Sequence, residues 1–439
     1  MLKKFKKGAA SFYIVAFSTL ILVLIATSFA LVITSEIART SNDDLSQSAY
    51  DSALAGVEDA KVAFSNYRRC AEAANSNAAI KAEVPVGSGE VTCNDILYWI
   101  KNPDCYMVGH ILGKIPKNVN EEVVVGGVEK TGAGGETTTN QAYTCVIINT
   151  DLNDYRTTLT TSKRIQTMRA AVGLGATNDV KKIKLSWYSV RNDVSLKFTN
   201  YNGSKVWFPA FGASSISVPP TVELQIVQTG TSFTLAQFDQ TAAGQTNRAT
   251  MYLVPTNNSY KAKNTEENYI GIWNGSSNII SADNVVKTNN RWVMNKAFLT
   301  YCENETTATG EFYCTAEIEV PAPIGGGPRS NDTFMISVSL PYQQPDTDFS
   351  VELICASGTC GTAAAAGGGG ESVAKITNSQ ISIDSTGRAN DLYRRVETRL
   401  ETADTTFGAG YPYYALEILK SGITTEKVMK VTAEHNFYF

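Results

Sequence analysis

The sequence predicts an α+β protein, with a long N-terminal transmembrane and stalk α-helix followed by a large, disulfide-stapled, β-rich head of sandwich type on the extracellular side. Three observations carry this expectation. Residues 9–35 form an uninterrupted uncharged run, no Gly or Pro occurs from Ala9 to Ala55, and beyond about residue 178 the apolar residues alternate with polar ones.

The helix comes first. A hydrocarbon core about 30 Å thick needs roughly 20 apolar residues in helical form, so the run from Ala9 to Ser35 spans a bilayer with length to spare. Lys3, Lys4, Lys6 and Lys7 precede it, which by the positive-inside rule holds the N-terminus in the cytoplasm and sends the rest across. Ser28, Phe29 and Ala30 offer the small-residue spacing of a signal-peptidase site, so a cleaved export signal is the competing reading. Against it, Leu31, Val32 and Ile33 continue the apolar run, and the first proline of the chain is Pro85. The following segment places Leu45, Ala49, Ala53, Val57, Ala60 and Phe64 at spacings of three and four among charges and hydroxyls. That is a narrow amphipathic stripe of small residues. Membrane run and stripe together predict one helix from Ala9 to about Tyr67, roughly 90 Å long.

Lysines and Gly8 before an uncharged helix, followed by "QSAYDSALAGVEDAKVAF", resemble the class III leader and first helix of type IV pilins and secretion pseudopilins. The stretch "SALAGVEDA" is similar to a run found after the membrane part of minor, PilX-like pilins. The resemblance covers about the first 67 residues. It implies cleavage by a prepilin peptidase after Gly8 and N-methylation of the new N-terminal Ala9. It also implies, as partners, other pilin subunits through the N-terminal helix and an inner-membrane assembly platform. One departure stands out: the fifth mature position, which in most major pilins is a glutamate thought to pair with a neighbouring subunit's amine, is Tyr13 here. Within the family that absence is typical of tip-initiating subunits, although it also occurs among other minor pilins. The alternative is a single-pass, membrane-anchored extracellular adhesin that does not polymerise.

Eight cysteines, Cys70, Cys93, Cys105, Cys145, Cys302, Cys314, Cys355 and Cys360, form an even set that in an exported chain reads as disulfides. Sequential pairing is the simplest of the 105 connectivities that eight cysteines allow. On that pairing the first two bridges staple a module to the end of the helix, the third closes a hairpin and the fourth a tight loop. With two histidines in the whole chain and no C-x2-C knuckle, structural bridges outweigh a metal site, and no cofactor is expected.

Between the helix and residue 178, "GGVEKTGAGGETTTNQ" reads as loop. Beyond it, "VKKIKLSWYSV" sets Ile183, Leu185 and Trp187 against Lys182, Lys184 and Ser186, and "DTFMISVSL" and "DFSVELI" alternate likewise. These are half-buried strands. "FLTYCENETTATGEFYCTAEIEV" predicts a hairpin with its turn at Glu305 to Gly310, and "QISIDSTGRANDLYRRVETRLE" a strand pair around Gly387 that resembles the strand-turn-strand near the end of minor pilins. "PAPIGGGPRSND" and "CGTAAAAGGGGESV" lack periodicity and act as loops. The expected partition is leader 1–8, helix 9–67, a Cys-bearing α/β pilin-like module 68–177, β-rich head 178–355, Gly/Ala-rich loop 356–372 and C-terminal strands 373–439.

No convergent chemistry is legible, and no enzyme is expected. His110 and His435 are the only histidines, and both read as packed or solvated. Glu121 and Glu122, like Glu266 and Glu267, are neighbours that would point to opposite faces of a strand. "GHILGKIP" has one residue too few between its glycines for a phosphate loop and Ile115 where a Ser or Thr belongs. "DLSQS" matches an adhesion-type metal pattern but falls in the helix, and the terminal "HNFYF" reads as a buried last strand. Asn202, Asn257, Asn274, Asn304 and Asn331 open sequons, which suits an exposed Asn/Thr-rich surface. Net charge is −4 and pI about 5.5, so nucleic acid is not an expected partner. A ligand on a host cell or other surface remains the open partner class.

Overall fold

The computed structural model describes residues 7–75, 91–117, 119–126, 141–160, 162–172, 180–189, 219–229, 248–256, 269–272, 275, 277–281, 286–287, 291–292, 294–303, 310–320, 333–341, 346–355 and 372–402. Its helices are α1 (Lys7–Asn75), α2 (Cys93–Lys101) and α3 (Met107–Ile111). The strands are β1 (Val123–Gly126), β2 (Gln141–Leu152), β3 (Asp154–Leu159), β4 (Ile165–Val172), β5 (Val180–Ser189), β6 (Val222–Thr229), β7 (Arg248–Thr256), β8 (Tyr269–Gly271), β9 (Ile279–Ile280), β10 (Val286–Lys287), β11 (Arg291–Trp292), β12 (Met294–Tyr301), β13 (Phe312–Glu319), β14 (Thr333–Ser339), β15 (Thr347–Cys355), β16 (Ser372–Ala374), β17 (Ile376–Ala389) and β18 (Leu392–Glu401). The fold is α+β: a long apolar N-terminal helix, then a β-rich, disulfide-bridged remainder.

The chain divides into two compact units, one holding the residues up to Thr150 together with Ile381–Leu400, the other Asp151–Gln380 with Glu401. The second unit therefore draws on chain from both sides of Ile381–Leu400. This division differs from the partition at 177 and 373 expected from the sequence. The physical reason is that β3 and β4, short and rich in Thr and Arg, already pair with strands of the second unit, before the alternation becomes regular at Val180.

In the first unit, α1 is continuous from Lys7 to Asn75. Its outer half turns Ala49, Ala53, Val57, Ala60 and Ala63 inward, all buried, while Leu45 and Phe64 are half-buried. Val57, Ala60 and Ala63, with Phe64 against them, meet Ile96 and Ile100 of α2, Met107 and Ile111 of α3, Tyr143, Val146 and Ile148 of β2, and Ile381 and Ile383 of β17 in one core. β1 pairs antiparallel with β2, β2 neighbours β17, and β18 pairs with β17. Thr92 starts α2 with a capping box: its hydroxyl accepts from the Asp95 amide, and the Asp95 carboxylate accepts from the Thr92 amide at 2.8 Å.

The expected strand pair near the C-terminus is present, but its turn is not at Gly387. β17 runs through that glycine to Ala389, and the reversal falls at Asn390, which holds φ 50° in the left-handed region that asparagine tolerates. Gly387 instead lies against the helix. A Cβ there would overlap the Ala49 carbonyl oxygen and the Ala53 nitrogen, so only glycine lets sheet and helix approach this closely.

The second unit has two sheets sharing one core. One runs β4–β14–β6–β7–β12–β8, antiparallel through β4, β14, β6 and β7 and parallel where β12 joins β7 and β8. The other runs β16–β15–β5–β13–β9, with β3 also paired to β15. Leu185, Trp187 and Phe349 from the second sheet meet Leu224, Phe334 and Ile336 from the first. The expected hairpin over 298–320 is corrected here. β12 and β13 belong to different sheets, and only an isolated bridge at Cys302 and Cys314 joins them.

Cys70 is bonded to Cys93, Cys105 to Cys145 and Cys302 to Cys314. Cys355 is also disulfide-bonded, and Cys360 lies outside the described residues.

Candidate functional site: the N-terminal helix

The most apolar window of α1 has a mean hydropathy of 2.5 and contains no buried residue. Every residue from Tyr13 to Asp44 is exposed, including Phe17, Leu20, Leu24, Phe29 and Ile33. The hydroxyls in this run are satisfied within the helix: Ser18 donates to the Val15 carbonyl at 2.9 Å, Thr27 to Val23 at 2.9 Å, Ser28 to Leu24 at 2.7 Å and Thr34 to Ala30 at 3.0 Å. Such internal pairing spares these hydroxyls the cost of facing hydrocarbon unbonded. By length and composition the helix can cross a membrane.

The outer half is built into the protein by the stretch "SALAGVEDA". The Ser385 hydroxyl donates to the Ala53 carbonyl at 2.7 Å. Gly56 sits beneath Ser385, Val146 and Tyr143, where a Cβ would come within 2.4 Å of the Ser385 oxygen. Asp59 accepts from the Tyr143 hydroxyl at 2.8 Å and from Lys114 at 2.5 Å, while Glu58 faces outward and pairs with Lys61. Burial, then the hydrogen bond and charge of Asp59, push the Tyr143 phenol far above its usual range, so it stays a donor at any ordinary pH. The sequence showed the stripe but not the Asp59, Tyr143 and Lys114 cluster, whose members are far apart in the chain. A lone glycine in a strand pattern, as at Gly387, was the available sign of a close approach.

Gly8 and Ala9 lie in the first turn of α1. Tyr13 is 71 % exposed, and the first carboxylate along the helix is Glu36. The cysteines do not join this region: their bridges lie beyond it, from Cys70 onward.

The remaining candidates have packing roles or lie elsewhere. His110 is buried in α3 and stacked on Trp99, with ring centroids 5.2 Å apart. Within "GHILGKIP", Gly109 packs so closely that a Cβ would meet Ile115 at 2.9 Å, and Lys114 is held by Asp59. "DLSQS" is helical, Glu122 pairs with Arg388, and among the described residues no group of three or more His, Cys, Asp or Glu could hold a metal ion. His435, Glu266, Glu267, the five sequon asparagines and the terminal "HNFYF" lie outside the described residues.

These features define a helix-bearing, disulfide-bridged α+β protein with a membrane-length N-terminal segment. No family model, no curated protein and no solved structure matches the chain.

Proposed function

We propose that the chain is a minor type IV pilin or pseudopilin subunit, a structural component of a filament rather than an enzyme. The observation that carries this reading is the division of labour along one unbroken helix. Its inner half is apolar and unburied from Tyr13 onward, whereas its outer half is packed into the first unit through "SALAGVEDA". A plain anchor needs the first half only. A subunit that leaves the membrane for a filament needs both, because the same apolar surface must exchange lipid for the helices of other subunits while its folded part stays attached. On this reading a prepilin peptidase cuts after Gly8, Ala9 is methylated, and an inner-membrane platform extracts the helix. The absence of a carboxylate near Tyr13 favours a place at the filament tip, with the second unit outward for assembly, adhesion or surface contact.

Intact mass of the protein recovered from cell surfaces tests this. A mass beginning at Ala9 with one added methyl is expected, and Gly8→Val should leave an inserted, uncut precursor. A start near Leu31 would indicate simple secretion. An uncut wild-type chain would indicate a membrane-anchored adhesin that does not polymerise.

A further inference from the structure

The first unit is crossed by a covalent short cut. Cys70, near the end of α1, is bonded to Cys93, the first residue of α2; Cys105, just after α2, is bonded to Cys145 on β2. β2 is the strand from which the chain passes into the second unit after Thr150. Along the backbone Thr150 lies 80 residues beyond Cys70. The bridges remove loops of 23 and 40 residues from that path. What remains is the 12 residues from Cys93 to Cys105 and the five from Cys145 to Thr150.

We infer that these two bridges form a tension relay, in which a pull between the stalk helix and the second unit is carried by α2 and two sulfur–sulfur bonds. Three observations support it. The packing of α1 on its sheet relies on Ala49, Ala53, Gly56 and Ala60, small residues that each bury little apolar area, so non-covalent hold per residue is low. The bridges run in series from α1 to α2 to β2, and not in parallel within one element. The Gly-rich stretch 126–141 falls inside the loop that Cys105 and Cys145 close, and is thereby taken out of the loaded path. The relay operates whether α1 is held by lipid or by neighbouring subunits.

Force–extension measurement on the full-length chain in detergent micelles tests this, with one handle at the N-terminus and one on an azide-bearing residue replacing the exposed Asn153. Attachment there leaves the bridges of the second unit outside the loaded path. At roughly 3.4 Å per extended residue, adding dithiothreitol to the folded wild-type protein should lengthen the final extension by about 210 Å and lower the force at which the first unit yields. Cys70→Ser with Cys93→Ser should add about 80 Å, and Cys105→Ser with Cys145→Ser about 135 Å. The reductant arm does not depend on either variant folding. An oxidised chain that extends as far as the reduced one, or a reduced chain that resists the same force, overturns the relay.

Discussion

At the scale of single residues, what holds the first unit to its helix is the absence of side chains. Gly387 brings β17 against the backbone of α1, and a methyl group there would overlap the Ala49 carbonyl and the Ala53 nitrogen. Backbone cannot step aside as a flexible side chain can. Gly387→Ala should therefore cost about 3 kcal/mol, at the upper end of overpacking penalties. Gly310→Ala, with nothing within 4 Å of the added Cβ, should stay within about 0.5 kcal/mol of wild type in the same urea titration. Equal effects would mean that the close approach is not rigid. A second residue carries a pH signature. Burial alone would raise the Asp95 carboxyl, but the Lys117 ammonium and the Thr92 hydroxyl and amide outweigh it and bring it from 3.8 to about 2. Because the folded value lies below the unfolded one, this stabilisation is present at neutral pH and is lost as pH falls from about 4 through 2. Asp95 and Lys117 keep about a third of their side-chain surfaces exposed, so solvent screening limits the effect. Asp95→Asn should lower stability by about 1 kcal/mol at pH 7 and by well under half of that at pH 2, where Asp95 is itself about half protonated. A difference that persists undiminished at pH 2 would assign the effect to geometry and not to charge.

At the scale of elements, α1 was legible because two independent signals agree along it: an uncharged run long enough for a bilayer, then a stripe at helical spacing with no breaker between them. The strands beginning at Val180, Thr333 and Thr347 were legible by alternation, since the apolar face of each lies in the core, but they are not half-buried as expected: Ser186, Ser337 and Ser350 on the other faces are buried as well. Their partners were not legible. Around Cys302 the local sequence favours a hairpin, whereas β12 joins β7 and β8 and β13 joins β5 and β9, pairings decided by segments far away in the chain. The same limit applies at the C-terminus, where glycine was read as turn chemistry although Asn390 makes the turn and Gly387 serves a neighbour. The disulfide at Cys302 and Cys314 thus ties two sheets together instead of closing one hairpin. Replacing both cysteines with alanine should cost about 3 kcal/mol, the scale expected for a short loop. Differential scanning calorimetry should place the loss in the transition of the second unit. A shift confined to the other transition would place the bridge's effect in the wrong unit.

At the scale of the whole molecule, the two units have separate cores and separate bridges. The core around α1 draws on residues between Val57 and Ile148 and on Ile381 and Ile383, while the sandwich core draws on residues between Tyr155 and Ile376. They share no member. Cys70–Cys93 and Cys105–Cys145 fall in the first unit and Cys302–Cys314 in the second, so no described bridge crosses the boundary. β2 and β17 are neighbours in the sheet, and the Thr144 hydroxyl reaches the Thr386 carbonyl at 3.3 Å, a few residues from Thr150 and Ile381, where the chain leaves the first unit and re-enters it. In a chain ended after Glu401, the last residue of β18, a linker of about four residues, within the usual range of strand connections, should join Thr150 to Ile381 without distorting that pair. The shortened chain should keep α1 and its packed outer half, contain both bridges with no reactive thiol when denatured unreduced, and unfold in one cooperative urea transition. It should also be processed at Gly8 as the full chain is expected to be, because the leader and the helix are untouched. Free thiols and a gradual, non-cooperative loss of helix signal would show instead that the first unit depends on the second to complete its fold, and the two cores would then have to be treated as one.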